Sequence, residues 1–209
     1  MKSAMMIALL GAAAVAVAGE DVPPTPSMPA AVDGLVYARS FSLTEGFMFD
    51  LRKERPEVKE GLLLVLKADK ALLVPRAALM PVLYVGDQTA ERLNMGDKSG
   101  HVIAIVPGKP DLTKAPIWFG TPRFPEKIDH AVIKAERETA EEAGIRPLPA
   151  DQVKAALALG GEPIKATNLR EVLRTEAAEL ILKYSPQEKH IAEGFRVPEV
   201  RRKTKMDED

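Results

Sequence analysis

The chain contains no cysteine among its 209 residues. It therefore cannot form a disulfide framework, a thiolate zinc site or a cysteine nucleophile. Aromatic residues make up only 5% of the chain, which argues against a surface specialised for stacking sugars or nucleobases. The 29 lysines and arginines are balanced by 30 aspartates and glutamates, so there is no overall positive field to hold a nucleic acid. We expect no nucleic-acid partner.

Motifs for phosphate-containing cofactors and metals are also missing. Neither a G-x-x-x-x-G-K-[ST] loop nor a G-x-G-x-x-G loop occurs in the sequence. The histidines at positions 101, 130 and 190 are far apart, whereas a zinc site needs three or four converging ligands. The sequence therefore predicts no cofactor and no metal site.

Residues 1–18 have the pattern of a signal peptide. Lys2 is followed by the uncharged, apolar stretch from Ala4 to Ala18, which ends in the small-x-small sequence Ala16-Val17-Ala18. This stretch is shorter than the roughly 20 residues that a membrane-spanning helix needs. We expect cleavage after Ala18, an extracytoplasmic location (periplasmic or secreted) and no stable membrane span afterwards. The alternatives are an uncleaved membrane anchor and a buried helix.

The rest of the sequence divides into a linker, a domain and a tail. Residues 19–33 include four prolines between Val22 and Pro29, a composition typical of an extended, disordered linker. Residues 199–209 are mostly charged and predict a disordered tail. The intervening residues 34–198 are enough for one globular domain with its own core.

The first half of this domain has the hydrophobic pattern of β-strands. Short apolar runs bounded by turn residues predict strands at Leu35–Leu43, Leu62–Leu66, Val82–Val85, His101–Val106 and Ile117–Phe119. Leu72–Val74 is a further short strand in this interpretation. Asp87 is placed to cap a short helix through Leu93, with Gly96 beyond its end.

From Pro125 onward the hydrophobic period becomes helical. One predicted helix ends before Gly144 and a second ends at Gly160-Gly161. A third begins with the capping pair Asn168 and Glu171, and a fourth begins at Ser185-Pro186-Gln187-Glu188 and ends at Gly194. The predicted fold is therefore α+β, with a small, mostly antiparallel sheet in the N-terminal half followed by about four helices.

One segment is similar in its order of elements to the core of the GIY-YIG nucleases. It contains Tyr84-Val85-Gly86, then Arg92 on the predicted short helix, then the strand from His101. In that family a tyrosine and a helical arginine surround the scissile phosphate, and an acidic residue binds a divalent metal. The tyrosine of the first family motif is missing, since Gly61 is followed only by leucines, and no acidic ligand can be matched. The resemblance implies a small enzyme, a hydrolase or GIY-YIG-like phosphodiesterase, with a site near Tyr84, Asp87, Arg92 and His101.

A second candidate is the basic cluster Arg52, Lys53 and Arg55, which follows Phe47-Met48-Phe49. Basic groups beside exposed aromatics suit an anionic ligand or a protein partner. The alternative is a strand whose aromatics are core and whose charges are solvated.

No coherent set of catalytic residues emerges from these patterns. The leading hypothesis is a non-catalytic binding or protein-interaction module of the cell envelope, whose partner is an envelope protein or a small ligand. Its candidate binding residues are Arg52, Lys53, Arg55, Tyr84, Asp87, Arg92 and His101. A structural subunit of an envelope assembly is a further alternative, which predicts a large exposed apolar patch on the third helix or around Phe47–Phe49.

Overall fold

The computed structural model describes residues 27–45, 58–74 and 79–197. These residues form an α+β structure built on one curled, eight-stranded sheet, so the predicted fold class is confirmed. The strands are β1 (Ala30–Ala31), β2 (Gly34–Leu43), β3 (Glu60–Lys67), β4 (Val82–Val85), β5 (Gln88–Arg92), β6 (His101–Pro107), β7 (Ile117–Gly120) and β8 (Ile164–Ala166).

The strands lie in the order β1-β7-β4-β5-β6-β3-β2-β8. Neighbouring strands are antiparallel except β2 and β8, which pair in parallel through Phe41 and Ile164. The sheet is therefore larger than predicted and mixed rather than antiparallel. The reason is that β8, a strand of the helical half, returns to the sheet beside β2.

The helices follow mainly in the second half of the chain. They are α1 (Lys70–Leu73), α2 (His130–Glu142), α3 (Ala150–Gly160), α4 (Leu169–Val172), α5 (Ala178–Tyr184) and α6 (Lys189–Arg196). A π-helical turn at Leu173–Ala177 makes α4 and α5 continuous, and 3-10 turns at Pro125–Lys127 and Pro186–Glu188 precede α2 and α6. Within the described residues, no helix is long and apolar enough to cross a membrane.

Alternation along the strands gives the sheet two apolar faces. On one face, which we call the inner face, Leu64, Leu83 and Phe119 pack in one cluster with Val153 of α3. The opposite face has two separate covers. Helices α4 to α6 pack over β2, β3 and β6, while α2 packs over Tyr84 and Trp118 of β4 and β7.

The apolar stripe of the predicted third helix is not an exposed patch. Leu169, Val172, Leu173 and Ile181 are all buried against the sheet. This face is therefore core, and it offers no support to the structural-subunit alternative. The other proposed patch, Phe47–Phe49, lies outside the described residues.

Two local predictions were wrong. The segment expected to be a helix after Asp87 is strand β5, because Gly86 adopts a positive φ of 58° and turns the chain back beside β4. Strand β6 then pairs with the end of β5 on its other side. Leu72–Val74 was expected to be a strand, but Leu72 lies in helix α1, which the Asp69 carboxylate caps by accepting the Ala71 N–H.

Two elements near the ends of the described chain also differ from expectation. Ala30–Ala31 falls in the expected linker, yet it pairs with β7, and Val32 is buried beside it. Gly194 was expected to end the last helix, but α6 continues to Arg196. The predicted signal peptide (1–18) and tail (199–209) lie outside the described residues.

Candidate functional site

The main cleft lies beside strands β4 and β5 and helix α6. Its volume is about 450 Å³. Its walls come from Leu79–Leu83, from β5 and the loop after it, from Arg123–Pro125 and from Ile191 of α6. We call it the Arg92 cleft. Most of its lining is apolar, and the principal apolar side chains are Leu79, Met80, Pro81, Leu83, Met95, Phe124 and Ile191.

Arg92 is the cation in the wall of this cleft. Its guanidinium lies over the Phe119 ring, with Cζ 5.8 Å from the ring centre. Nη2 donates a hydrogen bond to the Met95 carbonyl. Nη1 is buried, and it has no hydrogen-bond partner within the described residues. One hydrogen-bonding nitrogen of this guanidinium is therefore unsatisfied inside the protein.

The charge of Arg92 is only partly compensated. Burial lowers the pKa of Arg92 to about 10, and the more distant charges of Glu188 and Asp97 oppose that shift. The group is thus still a cation at neutral pH. Partial burial of this cation is unfavourable, and the same cleft lining also contains the carboxylate-bearing residue Glu91.

Arg123 also lines the cleft, but its charge already has a partner. Its Nη2 lies 3.0 Å from Oε1 of Glu136, which is only 7% exposed. The other oxygen of Glu136 accepts the Thr121 N–H at 3.2 Å. The charge of Arg123 is therefore neutralised by Glu136, whereas the charge of Arg92 has no contacting carboxylate among the described residues.

Asn94 fixes the start of the loop that follows β5. Its amide nitrogen donates to the His101 carbonyl at 2.9 Å and to the Ser185 hydroxyl at 2.8 Å. Its amide oxygen accepts the Ile103 N–H at 2.8 Å. These three bonds use most of what a buried asparagine can offer. They hold the loop against β6 and against the turn between α5 and α6.

Glu188 fixes the next two residues of the same loop. Its carboxylate accepts the backbone N–H of Met95 at 2.6 Å and that of Gly96 at 2.9 Å. Glu188 is 5% exposed, so these charge-assisted bonds are shielded from water. The wall of the cleft beside Arg92 is therefore preorganised by contacts from distant parts of the chain.

The other sequence-predicted site residues lie elsewhere. Tyr84 is fully buried beneath α2, and its ring stacks on Trp118 with centroids 5.1 Å apart. Burial raises the pKa of Tyr84 to about 12, and Glu136 adds to the shift. Its hydroxyl has no hydrogen-bond partner among the described residues. Tyr84 is therefore a core residue in this structure.

Asp87 and His101 are also separate from the cleft. Asp87 lies exposed in the turn between β4 and β5, where it forms an ion pair with Arg137 of α2. His101 begins β6, with its ring centre 5.6 Å from that of Tyr184. Strand β5 separates the strands of Tyr84 and His101.

The four residues of the predicted enzyme site thus do not converge. In addition, Arg92 lies on a strand and not on a helix. The GIY-YIG arrangement of a tyrosine and a helical arginine is therefore absent from these residues. Of the predicted binding residues that the structure describes, only Arg92 lines the cleft. Arg52, Lys53 and Arg55 lie outside the described residues.

Sequence reasoning missed Arg123, Glu136, Asn94 and Glu188. Glu136 lies in a helix rich in glutamate and lysine, a composition typical of a solvated face, but its carboxylate lies opposite Gly120. A Cβ at position 120 would be 2.6 Å from Glu136 Oε2, so only glycine permits this approach. The sequence carries no local signal for a contact between two elements of this kind.

Nothing in the described chain suggests a bound metal. No group of three or more histidine, aspartate or glutamate side chains there is placed to hold an ion. No family model, curated protein or solved structure matches the chain. Its function must therefore be inferred from the geometry.

Proposed function

We propose that this chain is an exported, non-catalytic binding module of the cell envelope, and that the Arg92 cleft is its binding site. The observation that carries the proposal is a mostly apolar cleft whose wall contains the half-buried Arg92, together with Glu91 and Arg123. The cleft volume of about 450 Å³ falls within the range of small-molecule sites, which is roughly 300–1,000 Å³. Mostly apolar walls with a few charged or polar groups are the usual composition of such sites.

The polar groups around the cleft favour binding over catalysis. A catalytic site needs two or more groups that converge on a reacting atom and remain available to it. Here the amide of Asn94 and the carboxylate of Glu188 are engaged by the protein itself. The carboxylate of Glu136 is likewise taken by Arg123 and Thr121. Among these groups, Arg92 has no contacting carboxylate in the described part of the chain, and an arginine positions anions better than it transfers protons.

The export part of the proposal is supported by the sequence of residues 1–18. Lys2, the apolar run and the Ala16-Val17-Ala18 site agree with one another as a signal peptide. The partner is then an envelope protein or a small ligand that the protein meets outside the cytoplasm.

Export is tested by fractionating the native host and measuring the intact mass of the protein. The expected result is a mature N-terminus at Gly19 in the extracytoplasmic fraction. An uncleaved Met1 in the cytoplasmic fraction would remove the export part of the proposal.

The binding site is tested by native mass spectrometry of three purified forms after incubation with envelope extract. The forms are the wild type, Arg92→Gln and the control Arg174→Gln, which removes a cation from the exposed side of the helical layer. We expect a bound species on the wild type and on Arg174→Gln, and its loss from Arg92→Gln. Equal occupancy of all three forms would exclude the Arg92 cleft as the binding site.

A further inference from the structure

We infer that the Arg92 cleft binds an uncharged, largely apolar small molecule, which contacts Met95 and Phe124 at the rim of the cleft. This inference rests on the proposed function, because it names the ligand class of the same cleft. The lack of charge on the ligand, its apolar character and its size are supported by separate observations.

The lack of charge follows from the balance of charges in the cleft lining. Among the described residues, the charged side chains that line the cleft are Glu91, Arg92 and Arg123. Arg123 is already paired with Glu136, through Nη2 at 3.0 Å and Nε at 3.3 Å. Glu91 and Arg92 then contribute one charge of each sign. The described lining therefore has no net charge that would attract an anion or a cation.

The guanidinium of Arg92 also offers little to an anion. Its Nη2 donates to the Met95 carbonyl, and its Nη1 is buried, so a ligand in the cleft does not reach Nη1. Phe119 packs against the guanidinium. An anion entering the cleft would lose its water without gaining these donors, which is costly. Arg92 instead shapes the wall of the cleft, because it holds the loop at Met95.

The apolar character of the ligand follows from the rim of the cleft. Phe124 is 49% exposed and Met95 is 39% exposed, and both line the cleft. The backbone of Met95 is fixed on both sides, since its carbonyl binds Arg92 and its N–H binds Glu188. Its side chain is therefore presented at a defined place. Covering these two side chains with an apolar ligand removes apolar surface from water, which is favourable.

The amide of Asn94, a polar group of the same lining, is already used by the protein. It is hydrogen-bonded to His101, Ser185 and Ile103. A ligand rich in polar groups, such as a sugar, would exchange its bonds to water for few new ones at this amide. The lining thus favours a ligand that needs few hydrogen bonds.

The size of the ligand follows from the volume of the cleft, which is about 450 Å³. An apolar cavity of about 150 Å³ holds one benzene molecule, so the cleft has room for about three rings or a chain of similar volume. A specific protein interface covers about 800 Å² of each partner, so a protein ligand would extend well beyond this cleft. A small molecule therefore suits the cleft better.

The inference is tested by fluorescence titration with N-phenyl-1-naphthylamine and 8-anilino-1-naphthalenesulfonate, each below its solubility limit. The two probes share one ring skeleton and differ by the negatively charged sulfonate. We expect one molecule of the uncharged probe to bind per protein, and the sulfonate to bind at least about tenfold more weakly. Absence of binding by the uncharged probe would overturn the inference. Equal or tighter binding of the sulfonate would do the same, without the need for any variant.

Variants then locate the probe. The double variant Met95→Ser/Phe124→Ser removes both exposed side chains of the rim. Its control, Leu157→Ser/Leu159→Ser, removes two apolar side chains of α3 that are 41% and 68% exposed. Circular dichroism shows whether both variants are folded. We expect the rim variant to bind the uncharged probe at least about tenfold more weakly and the control to bind it like the wild type. An unchanged affinity in the rim variant, or an equal loss in both variants, would contradict binding in the cleft.

The two proposals fail in distinguishable ways. If the uncharged probe does not bind but a species from envelope extract depends on Arg92, the ligand class is wrong and the binding site stands. The mass of that species then shows whether it is a protein or a charged small molecule. If the probe does not bind in the cleft and no extract species depends on Arg92, both proposals fall.

Discussion

The side-chain amide of Asn94 donates a hydrogen bond of 2.8 Å to the hydroxyl of Ser185, although the two residues are 91 positions apart. Both are buried, at 5% and 0% exposure. The same hydroxyl lies 2.7 Å from the Ser99 hydroxyl, so the loop between β5 and β6 is held at two points. One wall of the Arg92 cleft is thus fixed by the connection between α5 and α6, and not by local structure alone.

Glu188 provides the sharpest test of this arrangement. Glu188→Gln replaces one of the two oxygens that accept the N–H groups of Met95 and Gly96 with an amide donor. We expect the free energy of unfolding to fall by about 1–3 kcal/mol, because a buried N–H loses its acceptor. Urea denaturation followed by circular dichroism measures the change.

Glu193→Gln is the matched control on the same helix. Glu193 is exposed, so its substitution should change the free energy of unfolding by no more than about 0.5 kcal/mol. If Glu188→Gln were as stable as this control, Glu188 would not be the group that holds the loop.

The same residues show where sequence reasoning succeeds and where it stops. Asn168 and Glu171 were predicted to form a helix cap, and the Asn168 side chain does accept the Glu171 N–H. Ser185 and Glu188 have the same spacing, but both side chains bind the distant loop instead. The two patterns are equivalent by local rules. Local spacing cannot show that a second segment of the chain lies within hydrogen-bond reach of one of them.

Strand β5 shows a related limit. Asp87 and Gly96 are reasonable helix boundaries by local rules, and a helix was predicted between them. Gly86-Asp87 is equally a two-residue hairpin turn, which Gly86 favours through its positive φ of 58°. The flanking strands β4 and β6 decide between the two structures, because they supply hydrogen-bond partners that an isolated segment does not have. Long apolar strands such as β3 and β6 were predictable, since their burial needs only composition and length.

Gly120 is predicted to be intolerant of any side chain. A Cβ there would lie 2.5 Å from Cε2 of Tyr84 and 2.6 Å from Oε2 of Glu136. We expect Gly120→Ala to lower the free energy of unfolding by about 1–3 kcal/mol through overpacking. Thermal unfolding and urea denaturation both measure this loss.

Gly194 is the control for that substitution. It lies inside α6, and a Cβ there would meet nothing within 4 Å. Gly194→Ala should therefore stabilise the protein by up to about 1 kcal/mol through helix propensity. Equal effects of the two substitutions would contradict the close packing of β7 against α2.

Tyr84→Phe tests whether the buried phenol has any polar role. Its hydroxyl has no hydrogen-bond partner in the described part of the chain, so removing it should not break a bond. We expect the variant at neutral pH to be as stable as the wild type or more stable, by up to about 1 kcal/mol. A clear loss of stability in urea denaturation would show that the hydroxyl has a partner that the fold alone does not supply.

The raised pKa of Tyr84 predicts how the free energy of unfolding depends on pH, and the same variant tests it. The pKa of Tyr84 is raised from 10.0 to about 12 by burial, with a further contribution from Glu136. A raised pKa gives stability that is fully present below pH 10 and is lost as the pH rises toward about 12. The lowered pKa of Arg92 acts with the opposite sign in the same range, because the folded protein then releases a proton more readily than the unfolded chain. Comparing the wild type with Tyr84→Phe cancels the contribution of Arg92.

The free energy of unfolding of Tyr84→Phe relative to the wild type should therefore grow by about 1.4 kcal/mol between about pH 9 and pH 11, since one pKa unit corresponds to that energy. Urea denaturation at both pH values measures this difference. A difference that stays constant with pH would mean that the phenol ionises as readily in the folded protein as in the unfolded chain, which contradicts its burial between β4 and α2.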